Sequence, residues 1–372
     1  MRLIIISSSF PRNETDSKNA GVFVRQLACM LVEAGHTVTV LTPQTVEDPL
    51  APFDVRTFPW FGQETSISHI APRGPRNLAR LAFLMLSGVL RGTQVIRAER
   101  PDRVIALWAV PSGIIALVAG MVTRIPYDVW ALGSDVWRID DYPFGRRILK
   151  KVLRAASRRF ADGYELSDEV VEISALPCSF LPSSRVLPFA AMREPRPQTT
   201  RVELLCVSRF HHHKGVDVLV KALSLLEPEY LARIHLTIRG GGPEEPQIRS
   251  LVRSLDLREI VTVGGYIDAN ALVETAQSTD LAIIPSRIES IPLVLSDLAQ
   301  CNIPMIVTDA GDLGNIATRF DAARVVPPDD PQSIAAAISD FLSGAECGSA
   351  TGRVLLSEAL SLKKSMERLT SA

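Results

Sequence analysis

From residue 200 onward, short runs of β-branched and aliphatic residues alternate with stretches whose apolar positions recur at helical spacing. VELLCVS (202–208), IHLTIRG (234–240), VTVG (261–264), LAIIPS (281–286), MIVTD (305–309) and ARVVP (323–327) predict strands. Segments near 215–226, 246–256, 269–278, 290–301 and 331–342 predict the helices between them. Such alternation implies a parallel sheet with right-handed crossovers. The first half carries the same signal: RLIIIS, a helix from about 20 to 34, TVTVLT, RVIALW, YDVWAL and a closing strand near 185–188. Residues 104–122 form an uncharged run of nineteen, close to the length of a membrane span. Pro111, Ser112 and Gly113 divide it. A strand, a turn and a buried helix account for the run better, since parallel strands covered on both faces read as continuous apolar stretches.

The segment PFAAMREPRPQTT (188–200) is proline-rich and lacks periodicity, as an interdomain linker does. The expected organisation is an N-terminal Rossmann-like domain over 1–190, a linker over 191–200, a C-terminal Rossmann-like domain over 201–357, and a helix within 358–372 that packs back toward the first domain. With 372 residues, 47% hydrophobic and 22% charged, the chain is too apolar for a disordered polymer and long enough for two cores. The net charge of −1 divides into an excess of four cations over 1–190 and of five acids over 191–372. Neither half is basic enough to make nucleic acid the main partner. Five cysteines, never spaced C-x-x-C, suggest neither a disulfide framework nor zinc and point to a reducing cytoplasm. MRLIIISSSF has too short an apolar run for a cleaved leader.

In parallel α/β sheets, ligands bind beyond the carboxyl ends of the strands, where helix N-termini present free N–H groups. SRFHHHKGVDVLVKAL places Arg209 and Lys214 in one such loop, with Gly215 leading into a helix. A guanidinium fork, an ammonium and a helix N-terminus suit a diphosphate; two solvated loop cations are the plainer alternative. His211, His212 and His213 are adjacent, so they do not converge on one metal, and no metal site is expected. Gly240, Gly241 and Gly242 in RGGGPEE would let the backbone approach a ligand, yet neither a G-x-G-x-x-G nor a Walker A pattern is present. Glu289 and Asp297, eight residues apart, fall about two helical turns from each other and on roughly one face. Two acids so placed can grip two diols; helix capping for Glu289 and plain exposure for Asp297 are the alternatives. In the first half, Gly21, Trp108 and Asp135 stand at strand ends or helix starts. Asp135 would accept a hydrogen bond from an acceptor hydroxyl or cap the following turn.

Taken in order, FPRNETDSKNAGVFVRQL, ALWAVPSG, ALGSDVW, SRF…KG, RGGGPEE, VGGY and PSRIESIPLVLSDLAQCNIPMIVTDAGDLG resemble the retaining glycosyltransferases of family 4 over nearly the whole chain. The resemblance implies the GT-B architecture: two Rossmann-like parallel-sheet α/β domains facing a central cleft. It implies transfer of a sugar from a nucleotide-diphosphate donor to a glycan or lipid-linked acceptor, in cell-surface polysaccharide or glycolipid synthesis, with no cofactor or metal. By the same resemblance Arg209 and Lys214 hold the diphosphate, Glu289 binds sugar hydroxyls, and Asp297 binds the ribose. Tyr266 lies near the base, and Gly21, Gly241, Ser290, Ile291 and Pro292 complete the donor side. Trp108 and Asp135 fall on the acceptor side. Two departures stand out. The family's second acid is usually Glu, one methylene longer than Asp297. Many relatives carry histidines where this chain has Ile105, Leu107 and Leu132, so a histidine-assisted step is not expected.

Segment 144–160, FGRRILKKVLRAASRRF, holds seven cations and no acid around an apolar stripe. It reads either as a helix lying on anionic lipid at the inner face of the membrane or as a core-packed helix with a solvated basic face. Two competing functions remain at this level: a catalytically silent nucleotide-sugar-binding subunit, and a sugar-nucleotide epimerase.

Overall fold

The computed structural model describes residues 1–13, 16, 21–43, 45–61, 74–188 and 201–371. They form two compact units, Met1–Ser183 with Leu362–Ala372, and Ser184–Ser361. The expected linker over 191–200 lies outside the described residues.

In chain order the first unit contains β1 (Arg2–Ser7), α1 (Val22–Glu33), β2 (Thr37–Thr42), β3 (Asp54–Thr57), α2 (Pro75–Glu99), β4 (Arg103–Leu107), α3 (Ser112–Thr123) and β5 (Tyr127–Ala131). It continues with α4 (Ser134–Trp137), α5 (Gly145–Ala155), β6 (Arg158–Ala161), α6 (Tyr164–Ser174) and β7 (Ser179–Phe180). All seven strands are parallel in the order β3-β2-β1-β4-β5-β6-β7. The central strands are apolar along their length because helices cover both faces, and Leu3 to Ile6 are buried without alternation. The uncharged run resolves as β4, a turn through Pro111, and α3.

The second unit follows with β8 (Val202–Arg209), α7 (Val216–Leu223), α8 (Pro228–Leu231), β9 (Ile234–Gly241), α9 (Glu245–Ser254), β10 (Val261–Gly264) and α10 (Ala269–Gln277). It ends with β11 (Leu281–Ile284), α11 (Leu293–Gln300), β12 (Met305–Thr308), α12 (Asp312–Arg319), β13 (Arg324–Val326), α13 (Pro331–Leu342) and α14 (Ala350–Ala359). Its six parallel strands run β10-β9-β8-β11-β12-β13. The strand order reverses between β8 and β11, the point at which such sheets open a crevice at their carboxyl edge. The last helix, α15 (Leu362–Thr370), belongs to the first unit. Ser365 Oγ donates to the Pro182 carbonyl at 2.9 Å. The Arg158 guanidinium closes the carboxyl end of α15 on the carbonyls of Arg368, Leu369 and Ser371 while pairing with the fully buried Asp128.

Three expectations change. The strand near 185–188 does not form; those residues have no regular secondary structure, join neither sheet, and belong to the second unit. Strands β6 and β7 occupy the edge instead, too short and polar to show in the pattern. Segment 144–160 is not one helix, since α5 stops at Ala155 and Arg158 and Arg159 lie in β6. Most of its apolar stripe is spent on the core: Leu149, Val152 and Leu153 are fully buried, while Ile148 and the cations Arg146, Arg147, Lys150, Lys151 and Arg154 are exposed. Helix α2 was not foreseen. Among the described residues it alone is long and apolar enough to cross a membrane, and only 28% of its most apolar window is buried.

Candidate functional site

The chemistry expected of the second half gathers at the carboxyl ends of β8 and β11. Beyond β8 the chain makes a 3-10 turn over His212–Lys214 and reaches Gly215 at φ +64°. A Cβ on Gly215 would lie 1.9 Å from the Pro285 carbonyl oxygen, so only glycine lets this loop press against the end of β11. That approach sets the Lys214 ammonium directly on the Glu289 carboxylate, Nζ to Oε2, with both side chains largely buried. Ser286 Oγ also faces Glu289 Oε2 at 3.5 Å. Thr308 on β12 fixes the Ser286 backbone by donating to its carbonyl at 2.5 Å.

Arg287 holds the two loops in register. Its backbone N–H donates to the His213 carbonyl at 2.8 Å, and Nη1 donates to the His212 carbonyl at 2.7 Å. The same guanidinium forks onto Asp217 at 2.7 and 2.9 Å and reaches Asp329 at 2.8 Å. The Asp217 carboxyl, although burial works against it, is held well below its usual range by hydrogen bonds from Arg287 and Lys221. His213 is pushed down to about 4, first by burial and then by the neighbouring Lys214, so it is neutral at pH 7. It stacks on His211 at 5.6 Å between ring centres. Among the described residues no three His, Cys, Asp or Glu side chains gather into a metal-binding group.

Arg209, at the end of β8, is exposed. Tyr266 donates from its hydroxyl to the Gly241 carbonyl at 2.8 Å, which seats its ring against that glycine. The glycine run serves packing: a Cβ on Gly240 would fall 1.7 Å from the Ser208 carbonyl oxygen. Ser290 Oγ is buried without a hydrogen-bond partner, and Ile291 and Pro292 are buried beside it where α11 begins. Helix α11 has no side-chain cap at its N-terminus. Asp297 pairs with a different cation from Glu289. It is 2% exposed and lies under Arg185, whose guanidinium meets both carboxylate oxygens at 2.8 to 3.1 Å.

In the first unit, Asp135 is buried and both its oxygens are engaged, one by the Ala109 N–H and the other by the Leu132 N–H at 3.0 Å. Burial pushes its carboxyl up to about 6 against those hydrogen bonds. The carboxylate ties the loops after β4 and β5 together and does not cap the turn that follows it, since helix α4 has no side-chain cap. Trp108 has a left-handed backbone, φ +64°, unusual for an aromatic residue, and its ring lies 6.4 Å from Phe23. A Cβ on Gly21 would sit 2.1 Å from the Ser9 carbonyl oxygen, so this glycine is required by close backbone packing. Ile105 and Leu107 are fully buried in β4.

Arg287, Arg185 and Thr308 escaped the sequence reading. Arg287 looks like any loop cation in PSRIES, and Arg185 sits in a stretch without periodicity; only the partners supplied by the fold distinguish them.

Two family models match: "Glycosyl transferase 4-like domain" over residues 20–175 and "Glycosyl transferases group 1" over 190–351. The putative teichuronic acid biosynthesis glycosyltransferase TuaC of Bacillus subtilis is 24% identical over 362 residues, covering 92% of this chain and 89% of that protein. Glycogen synthase of Mycobacterium tuberculosis is 29% identical over 155 residues, but the match covers only 42% of this chain and 36% of that one. Among solved structures, sucrose-phosphate synthase from Thermosynechococcus elongatus aligns with a TM-score of 0.78 at 17% identity, over 99% of this chain and 97% of that one. Anabaena Alr3699/HepE in complex with UDP-glucose aligns with a TM-score of 0.74 at 13% identity, over 99% and 98%. These likenesses, with the two parallel-sheet units, establish the GT-B fold.

Proposed function

The chain belongs to the group 1, family 4-like glycosyl transferases, and from that premise we propose a metal-independent, retaining enzyme that transfers a sugar from a nucleotide-diphosphate donor to a glycan or lipid-linked acceptor. The observation that carries this reading is the Lys214–Glu289 contact at the β8/β11 switch point. An ammonium and a carboxylate held together there can take the two ends of an activated sugar, the ammonium meeting phosphate and the carboxylate accepting from sugar hydroxyls. Arg209 stands at the same sheet edge, and the free N–H groups that open α7 add partial positive charge. In the reaction the acceptor oxygen bonds to the anomeric carbon as the bond to the phosphate oxygen breaks. The nucleoside diphosphate leaves with the electron pair and takes the acceptor proton. Arg209 and Lys214 then stabilise charge growing on the leaving group, which such preorganised donors do best in a water-poor site.

The name of the teichuronic relative supports a role in cell-surface polysaccharide synthesis. Acceptor recognition falls to the first unit, near Trp108, in a cytoplasmic enzyme. The exposed cations of α5 would draw that unit to anionic lipid chiefly by charge, because most of the apolar stripe is buried. A donor-binding module without turnover is the second reading, favoured by the buried Ile105 and Leu107.

The test is a thermal-shift panel of nucleotide sugars followed by assay of donor hydrolysis and transfer. A donor at 100 times its dissociation constant should add about 2.7 kcal/mol. Turnover of the donor that binds supports the enzyme, binding without turnover supports the silent module, and the absence of any shift removes the donor assignment.

A further inference from the structure

Along β9 the positions Ile234, Leu236 and Ile238 are fully buried, while His235, Thr237 and Arg239 alternate with them on the other, half-buried face. His235 is engaged within that face, meeting Glu203 at 2.9 Å and Thr262 at 2.8 Å. Arg239 is not. Its Nε is buried with no hydrogen-bond partner, and among the described residues no carboxylate pairs with its guanidinium.

The surroundings of Arg239 are unusually flat. It stands in register with Gly264 at the end of β10, and a Cβ on that glycine would fall 2.3 Å from Arg239 Nη1, so the guanidinium lies across it. Gly241, two residues on and on the same face of β9, carries the Tyr266 ring, whose Cε2 a Cβ there would approach to 2.7 Å. Gly265 has nothing within 4 Å of the place its Cβ would take. A guanidinium and an aromatic ring therefore share a glycine-floored edge at the carboxyl ends of β9 and β10, with open space beside them. Burial raises the Tyr266 phenol and the charge of Arg209 works against it, so the cation expected to meet phosphate is near this edge.

A guanidinium half withdrawn from water gains most from a ligand whose acceptors fill its fork. With Nε sealed in, the two Nη groups are the ends that can meet one. A flat heteroaromatic ring suits the glycine floor, and Tyr266 offers it an aromatic neighbour. Guanine presents a fork with two adjacent acceptors, O6 and N7, whereas adenine sets a donor beside N7 and uracil offers O4 alone.

We propose that Arg239 is a specificity-determining residue that reads the O6–N7 edge of a guanine base, which makes the donor a guanosine-diphosphate sugar. The proposal rests on the donor reading above and adds to it the identity of the base.

The test is calorimetric titration of the full chain with GDP, IDP, 7-deaza-GDP, ADP, CDP and UDP, repeated on Arg239→Met, which keeps an apolar stem and loses the fork. GDP and IDP share the O6–N7 edge and are expected to bind about tenfold or more tighter than ADP, CDP and UDP. The 7-deaza compound lacks one acceptor and is expected to bind about tenfold more weakly than GDP. Arg239→Met is expected to bring GDP to within about threefold of UDP while leaving UDP unchanged. An equal loss for every diphosphate in that variant would overturn the proposal, since it would mark Arg239 as a phosphate or packing residue. Tighter binding of ADP, CDP or UDP than of GDP would overturn the base assignment and leave the donor reading standing, whereas binding of no diphosphate would remove both. Should Arg239→Met fail to fold, the comparison of GDP with 7-deaza-GDP on the parent decides: equal affinities would overturn the proposal.

Discussion

The contact between Lys214 and Glu289 means that each side chain positions the other. Arg209→Ala removes only a charge from an exposed strand end, whereas Lys214→Ala also leaves a largely buried Glu289 without its partner. Removing one preorganised donor of this kind costs about 10²- to 10³-fold in rate. We therefore expect both variants to lose turnover on that scale, measured with saturating donor. Lys214→Ala should in addition melt earlier than the parent, which Arg209→Ala should not. His213 gives a separate check. Its folded pKa, about 4, lies below the ordinary 6.5, so the folded chain binds fewer protons than the unfolded one between those values. Its contribution to stability is complete above pH 6.5 and is lost as the pH falls toward 4. Proton NMR of the imidazole should show a midpoint near 4, and a midpoint near 6.5 would place the ring in open solvent.

At the scale of elements, the site depends on how closely two loops approach. Arg287 holds them by its partners on both sides, and Gly215 permits the contact by having no side chain. Gly215→Ala would force a Cβ against the Pro285 carbonyl and hold a non-glycine residue at positive φ, which by itself costs about 1–2 kcal/mol. The expected outcome is a chain destabilised by at least that amount in urea unfolding, with donor affinity reduced because Lys214 is displaced. The pattern made most strands legible, since β8 to β13 read as apolar runs of the right length. It missed α2, whose apolar residues are spread around a long helix with exposed Leu78, Leu86 and Leu90, and it missed β3 at one edge of the first sheet and β6 and β7 toward the other.

For the molecule as a whole, two features of the first unit bear on where it works. Helix α5 offers cations with most of its apolar stripe buried, and α2 offers exposed leucines. Charge alone predicts binding to anionic vesicles that is released by salt, since attraction between exposed charges is screened within about 8 Å at physiological ionic strength. In flotation assays we expect the protein to rise with anionic vesicles at low salt, to stay down at high salt, and to lose binding in Lys150→Glu/Lys151→Glu. Binding to neutral vesicles that salt does not reverse would instead implicate the apolar residues of α2.

The sequence by itself determined the two parallel-sheet units and the residue types that stand at the carboxyl edge of the second sheet. Those properties follow from local periodicity and from the order of strands and helices. Tertiary structure alone decided which charges are partnered. Whether Asp297 is open or paired, whether Asp135 faces a ligand or ties two loops, and whether the α5 stripe is free or buried depend on groups distant along the chain. Arg185 is 112 residues from Asp297. No spacing rule links such positions, because only the packed fold brings them within hydrogen-bonding distance.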